Sequence, residues 1–210
     1  MLLFKQSSIP EIFEKTIQIC DNRIKGSISS YEVVLSLQLY AVMLDTSFTQ
    51  FPTRKILKLP TRILPFLIST DDPQFRSACD VLHSLFQSLQ LYPNNDLITS
   101  LCDKFVDLFK PFLSQFVPDL PPSSQSSQYL RIQLNDPDSR DCVARGCFRT
   151  LNLLIEFFKD AMRKHAKQLV RVVMCCISYR EPTVQSDVLC LLSSSFIPLS
   201  RPASTHYPHR

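Results

Sequence analysis

Residues 71–109 read DDPQFRSACDVLHSLFQSLQLYPNNDLITSLCDKFVDLF, and this stretch decides the fold. Asp71-Asp72-Pro73 is a helix start: the carboxylates favour the positive N-terminal end, and proline is tolerated where no intrahelical N–H is needed. Phe75, Ala78, Val81, Leu82, Leu85, Phe86 and Leu89 then recur every three or four residues, the period of an amphipathic helix. Asn94-Asn95-Asp96 supplies caps for a second helix carrying Leu97, Ile98, Leu101, Phe105, Leu108 and Phe109. Two helices joined by so short a link form an antiparallel hairpin, expected over residues 74–116.

Working outward, the same pattern repeats. A first helix is expected from Pro10 to about Ile24, through Ile12, Phe13, Ile17 and Ile19. A second, capped at Ser29-Ser30, carries Val33, Val34, Leu37, Leu39, Tyr40, Ala41 and Leu44 to a stop near Asp45. Pro52 and Pro60 bracket Arg54-Lys55-Ile56-Leu57-Lys58, and Ile63–Ile68 follows, which predicts short helices. Residues 117–137, with Pro121-Pro122-Ser123-Ser124-Gln125-Ser126-Ser127-Gln128, read as an exposed polar loop despite the short Tyr129–Ile132 run. Residues 141–161 and 164–179 predict another hairpin, with Phe148, Leu151, Leu154, Ile155 and Phe158 facing Leu169, Val172, Val173 and Cys176. Glu181-Pro182 opens a last helix through Leu192, and residues 197–210 are expected to be a disordered tail.

Composition narrows the class. The 210 residues are 45% hydrophobic with 15 phenylalanines, enough to bury a core over residues 1–196. Only Gly26 and Gly146 occur among them, where average usage would give about fifteen glycines. Hairpin turns of the primed types, P-loops and dinucleotide fingerprints all need glycine at fixed places, so nucleotide-binding α/β folds are disfavoured. The 15 prolines punctuate the helices, as at Pro10, Pro52, Pro60, Pro73, Pro93 and Pro182. A net charge of +4 is far from the basic excess of nucleic-acid binders. No apolar run approaches the length of a bilayer span or a signal peptide, so no membrane partner is expected and the location read from sequence is cytoplasmic and/or nuclear.

Asp72-Pro73-x-x-Arg76 and Asp136-Pro137-x-x-Arg140 each precede a long helix followed by another. The echo predicts a repeat architecture: an all-α, HEAT/armadillo-like solenoid of antiparallel helical hairpins forming a single helical-repeat domain over 1–196. A plain irregular bundle is the alternative.

Most of the eight cysteines sit within apolar helical patterns, and none has metal-ligand spacing, so neither a metal nor a cofactor is expected. Lys159, Arg163, Lys164, His165, Lys167 and Arg171 form the densest basic cluster, either a solvated helix face or a capture site for acidic or phosphorylated segments. Cys142 or Cys147 with His165 would be the only thiol–imidazole pairing to weigh, and no nucleophile–base or paired-carboxylate pattern marks an enzyme.

Several segments together resemble the B-prime regulatory subunits of protein phosphatase 2A. They are Leu37-Gln38-Leu39, Ile63–Leu67, Asp72-Pro73-Gln74-Phe75-Arg76, Leu82-His83-Ser84-Leu85-Phe86-Gln87-Ser88-Leu89, Leu151–Phe158, Arg163-Lys164-His165 and Leu169–Val173. About 150 residues share the family's order. Ser84 stands where the family has Arg and Phe86 where it has Tyr. The resemblance implies a curved HEAT-like solenoid acting as a noncatalytic regulatory or targeting subunit. Its partners would be the phosphatase scaffold and catalytic subunits and linear acidic or phosphorylated peptides, the latter held by His83, Phe86, Arg163, Lys164 and His165. An unrelated HEAT or armadillo-type interaction adaptor or transport scaffold is the other reading.

Overall fold

The structure is a computed structural model, describing residues 9–26, 29–116 and 128–196. Among these residues every regular element is helical and no strand occurs. The chain divides into two compact units, Met1–Pro93 and Asn94–Arg210.

In the first unit, α1 spans Ile9–Gly26, α2 Ser30–Ser47, α3 Thr53–Leu67 and α4 Asp72–Leu91, with a 3₁₀ turn at Phe48–Gln50. The α4 start follows the sequence expectation: Pro73 lies in the first turn and Asp72 is the first-turn acid. Asp71, at the N-cap position, makes no side-chain cap. It accepts a hydrogen bond from the Ser30 hydroxyl instead. Gln74 Nε2 donates to Ser30 Oγ at 3.1 Å, and Ser69 Oγ donates to Gln74 Oε1 at 3.1 Å. The start of α2 is thereby tied to the start of α4, and Ser29, the N-cap residue of α2, makes no side-chain capping bond.

The most extensive pairing in this unit is α2 with α4. Its cause is legible in α4, where Ser77, Ser84 and Ser88 are buried among larger apolar residues. Small side chains let two backbones approach, and the hydroxyls find partners across the seam. Ser84 Oγ donates to Asp45 Oδ2 at 3.0 Å and Ser88 Oγ to the Leu44 carbonyl at 2.9 Å.

The prolines correct one expectation. Instead of short helices, residues 53–67 form one helix with Pro60 and Pro65 inside it. Each interior proline removes a backbone donor and costs about 3 kcal/mol. Burial of Ile56, Leu59, Ile63, Leu64 and Leu67 along one side offsets this, at roughly 1.5–3 kcal/mol for each fully buried side chain. Phe51 closes the end of the unit, its ring 5.1 Å edge-on from Phe13 and 5.6 Å from Tyr40. Arg62 Nη1 lies 2.5 Å from Asp21 Oδ1, with both side chains largely buried.

In the second unit, α5 spans Asn95–Leu113, α6 Gln128–Asn135, α7 Pro137–Met162, α8 Ala166–Cys176 and α9 Pro182–Cys190. A 3₁₀ turn at Arg163–His165 and a π-helical turn at Leu191–Phe196 complete it. Asn94 caps α5 as expected, its side chain accepting from Leu97 N at 3.0 Å. Glu181 caps α9 by accepting from Val184 N at 2.7 Å. The long helix α7 is central and packs on α5, α6 and α9. Phe105, Phe109, Phe112 and Phe148 are fully buried, with the Phe112 and Phe148 rings edge-on at 6.0 Å.

The expected loop at 117–137 is corrected over its second part, where Gln128–Asn135 is helical and Leu130 is fully buried. Residues 117–127 and the expected tail at 197–210 lie outside the described residues. Helix α7 begins at Pro137 and breaks at Phe158, whose φ of −131° and ψ of 44° are not helical. The break turns the chain before Arg163.

The two Asp-Pro-x-x-Arg sequences differ in geometry. Arg76 Nη2 reaches Asp72 Oδ2 at 3.1 Å along its own helix. Arg140 Nη2 donates to Gln115 Oε1, in the turn after α5, at 2.9 Å, and Asp136 Oδ2 accepts from Ser139 at 2.5 Å.

Candidate functional site

The five residues singled out by sequence fall in different units. His83 is exposed on α4 and Phe86 is fully buried there. A ring without accessible surface has no face to offer a peptide, so Phe86 belongs to the core and is removed from the candidate groove. Its helical period with Leu82 and Leu89, both fully buried, accounts for the placement.

Arg163, Lys164 and His165 form the 3₁₀ turn after α7 in the second unit. Lys164 Nζ lies 2.6 Å from Asp103 Oδ1, and His165 Nε2 lies 2.8 Å from the same oxygen. Burial alone would push the Asp103 carboxyl up. The hydrogen bonds and charge of Lys164 and His165 outweigh burial and hold it below the ordinary carboxylate range. Arg163 Nε pairs with Asp160 Oδ1 at 3.1 Å. Within the basic cluster, then, Lys164 and His165 anchor the turn to α5, and Arg163 braces it against the end of α7.

Two further cations of the cluster define a different surface. Lys167 and Arg171 are exposed on α8, four residues apart and so on one face, and neither makes an ion pair among the described residues. The same face continues to the exposed Cys175. There it meets an open cavity of about 550 Å³ lined by Leu134, Asn135, Arg140, Asp141, Cys175, Ser178, Tyr179 and Arg180. Arg140 is oriented by Gln115, and Asp141 interacts with the Tyr179 hydroxyl. Burial first, then the hydrogen bond and charge of Asp141, push that phenol up to about 12. Tyr179 therefore stays a neutral donor at physiological pH. Lys167, Arg171, Arg140 and Arg180 mark a cationic track ending in a polar recess, a geometry suited to carboxylate or phosphate groups on an extended chain. Sequence reasoning missed Arg140 and Arg180 as site residues because only folding brings α6, α7 and the turn after α8 around one cavity.

Thiol chemistry gains no support. Burial pushes the Cys147 thiol far above its ordinary value, with Cys176 adding to the effect. Cys142 is raised in the same direction by burial. A nucleophilic thiolate needs the opposite shift, and the His165 Nε2 is engaged by Asp103. Among the described residues no group of His, Cys, Asp and Glu has the arrangement of a metal site, and no helix is long and apolar enough to cross a membrane.

Comparison with protein-family models, curated proteins and solved structures gave no match for this chain.

Proposed function

We propose that this protein is a noncatalytic regulatory or targeting subunit, similar to the B-prime subunits of protein phosphatase 2A, built as a HEAT-like solenoid of antiparallel helical hairpins. In this reading it engages the phosphatase scaffold and catalytic subunits and presents a linear acidic or phosphorylated segment of a substrate protein. The observation that carries the binding role is the cationic track along α8. Lys167 and Arg171 are exposed without ion-pair partners among the described residues, and they lead to the recess that holds Arg140 and Arg180. Lys164 and His165, by contrast, are drawn into Asp103 and shape the turn that presents the track.

Purification of the tagged chain from cells followed by mass spectrometry tests the assignment. Co-recovery of phosphatase scaffold and catalytic subunits in stoichiometric amounts is expected. Stoichiometric recovery of a different assembly without either subunit would replace the phosphatase reading with that of an unrelated helical-repeat adaptor.

A further inference from the structure

The recess at the end of the α8 track gathers donors from three elements. Asn135 ends α6, Arg140 lies in the first turn of α7, and Ser178 and Arg180 follow α8. The side chains of Asn135, Ser178 and Arg180 are exposed and have no hydrogen-bond or ion-pair partner among the described residues. Arg140 is held by its bond to Gln115, which occupies only part of a guanidinium's donor set. Asp141 is the one acid among the described lining residues, and it already accepts from the Tyr179 hydroxyl. Two guanidiniums against a single, already bonded carboxylate leave the lining net positive, and Arg171 on the approach adds to it.

A carboxylate and a phosphate ester make different demands on such a wall. A carboxylate is planar, carries one charge and is satisfied by the fork of a single arginine. A phosphate monoester carries nearly two charges on three strong acceptor oxygens, so it takes donors that arrive from several directions. Two arginines, a hydroxyl and an amide from three elements match the phosphate. We infer that the recess is a phosphate subsite, filled by a phosphorylated side chain of a partner segment whose acidic residues lie along α8. The inference rests on the reading of α8 as a peptide track and names the group that ends it. The track also sets a spacing. Lys167, Arg171 and Cys175 stand four residues apart on α8, about 6 Å of helix rise per step, and an extended chain covers that distance in about two residues. Carboxylates are therefore expected two and four positions from the phosphorylated residue.

The test titrates the full chain into fluorescein-labelled peptides of sequence Glu-Ala-Glu-Ala-X-Ala-Glu-Ala-Glu, where X is serine, glutamate or phosphoserine. The symmetric pattern offers acids to α8 in either chain direction. Anisotropy is expected to show the phosphoserine peptide binding about tenfold more tightly than the glutamate peptide, because the phosphate adds charge-assisted hydrogen bonds that a carboxylate cannot complete. Arg180→Gln, at an exposed position without an ion pair, should keep the melting temperature within a few degrees and reduce that preference to about twofold or less. Equal binding of the phosphoserine and glutamate peptides, with both weakened by Lys167→Glu combined with Arg171→Glu, would overturn the phosphate subsite and leave the track standing. Absence of binding by all three, or binding indifferent to the Lys167 and Arg171 substitutions, would overturn the subsite and the track together. A preference that survives Arg180→Gln removes the phosphate from the recess and overturns the inference. It is equally overturned if inorganic phosphate alone binds as tightly as the phosphopeptide, or if the chain prefers vesicles containing a phosphoinositide, since the phosphate then belongs to a free ion or a lipid headgroup.

Discussion

Lys164 Nζ lies 2.6 Å from Asp103 Oδ1, joining the turn after α7 to the middle of α5 across 61 residues of sequence. Removing the carboxylate leaves Lys164 and His165 without the negative charge they share. Asp103→Asn is therefore expected to lower stability at neutral pH. Because both side chains of the ion pair are more than two-fifths exposed, the loss should stay near or below about 1 kcal/mol. The pH dependence follows from the depressed carboxyl. Its contribution is fully present above the unfolded value of about 3.9 and is lost as pH falls through the lower native value. Thermal melts of the parent protein and Asp103→Asn should differ most from neutral pH down to about pH 5 and converge toward pH 3 and below.

Asp187 titrates in the opposite direction. Burial, outweighing the opposing influence of Arg149 and Asn152, raises its carboxyl above the ordinary range. Asn152 Nδ2 donates to the Asp187 carbonyl at 3.1 Å, while Asn152 Oδ1 is buried with no hydrogen-bond partner among the described residues. Asp187→Asn removes a charge that burial penalises and introduces an N–H₂ donor beside the orphaned oxygen. The ion pair it gives up, with Arg149 at 3.9 Å and half exposed, is worth little. A gain of about 0.5–1.5 kcal/mol at pH 7 is expected from chemical denaturation. The gain should shrink on acidification, since the parent protein is relieved of its penalty as pH falls through the raised Asp187 value. A loss of stability at neutral pH would show that the Arg149 pair outweighs burial.

Phe86→Ala separates a core role from a groove role. With the ring fully buried, truncation should cost about 3–5 kcal/mol, read as a large drop in denaturation midpoint. His83→Ala, at an exposed position on the same helix, should cost far less. A Phe86→Ala variant that melts like the parent protein would overturn the core role and return the ring to the surface.

What was readable in the sequence was what is local. Asp72-Pro73 and Asn94 mark helix starts because a cap or first turn is decided within a few residues, and the structure places α4 and α5 there. Pro60 misled because a proline's local cost is visible in sequence, whereas the burial of Ile56, Leu59 and Ile63 that outweighs it is tertiary. α6 was hidden by the Ser/Pro-rich run before it; the signal was Leu130, an apolar residue inside a polar region that turns out fully buried. The basic cluster was found, but its division was not. Which cations Asp103 takes depends on how α5 meets the turn after α7, and residue spacing carries no information on that.

That division sets the last prediction. Lys164 is committed to Asp103, so reversing its charge confounds binding with stability, whereas Lys167 and Arg171 are exposed and make no ion pair among the described residues. Lys167→Glu combined with Arg171→Glu is expected to preserve the melting temperature within a few degrees, as surface substitutions away from structural pairs usually do. The same variant should weaken an acidic or phosphorylated fluorescent peptide by about tenfold and flatten the salt dependence of what binding remains. Arg180→Glu, at the recess, should add to the loss if the peptide runs along the whole track. Arg163→Glu with Lys164→Glu should lower stability as well as affinity, because it sets new carboxylates against Asp160 and Asp103. Unchanged peptide binding in the Lys167/Arg171 variant, measured on folded protein, would reduce the α8 face to a solvated surface and remove the support for an acidic ligand at this site.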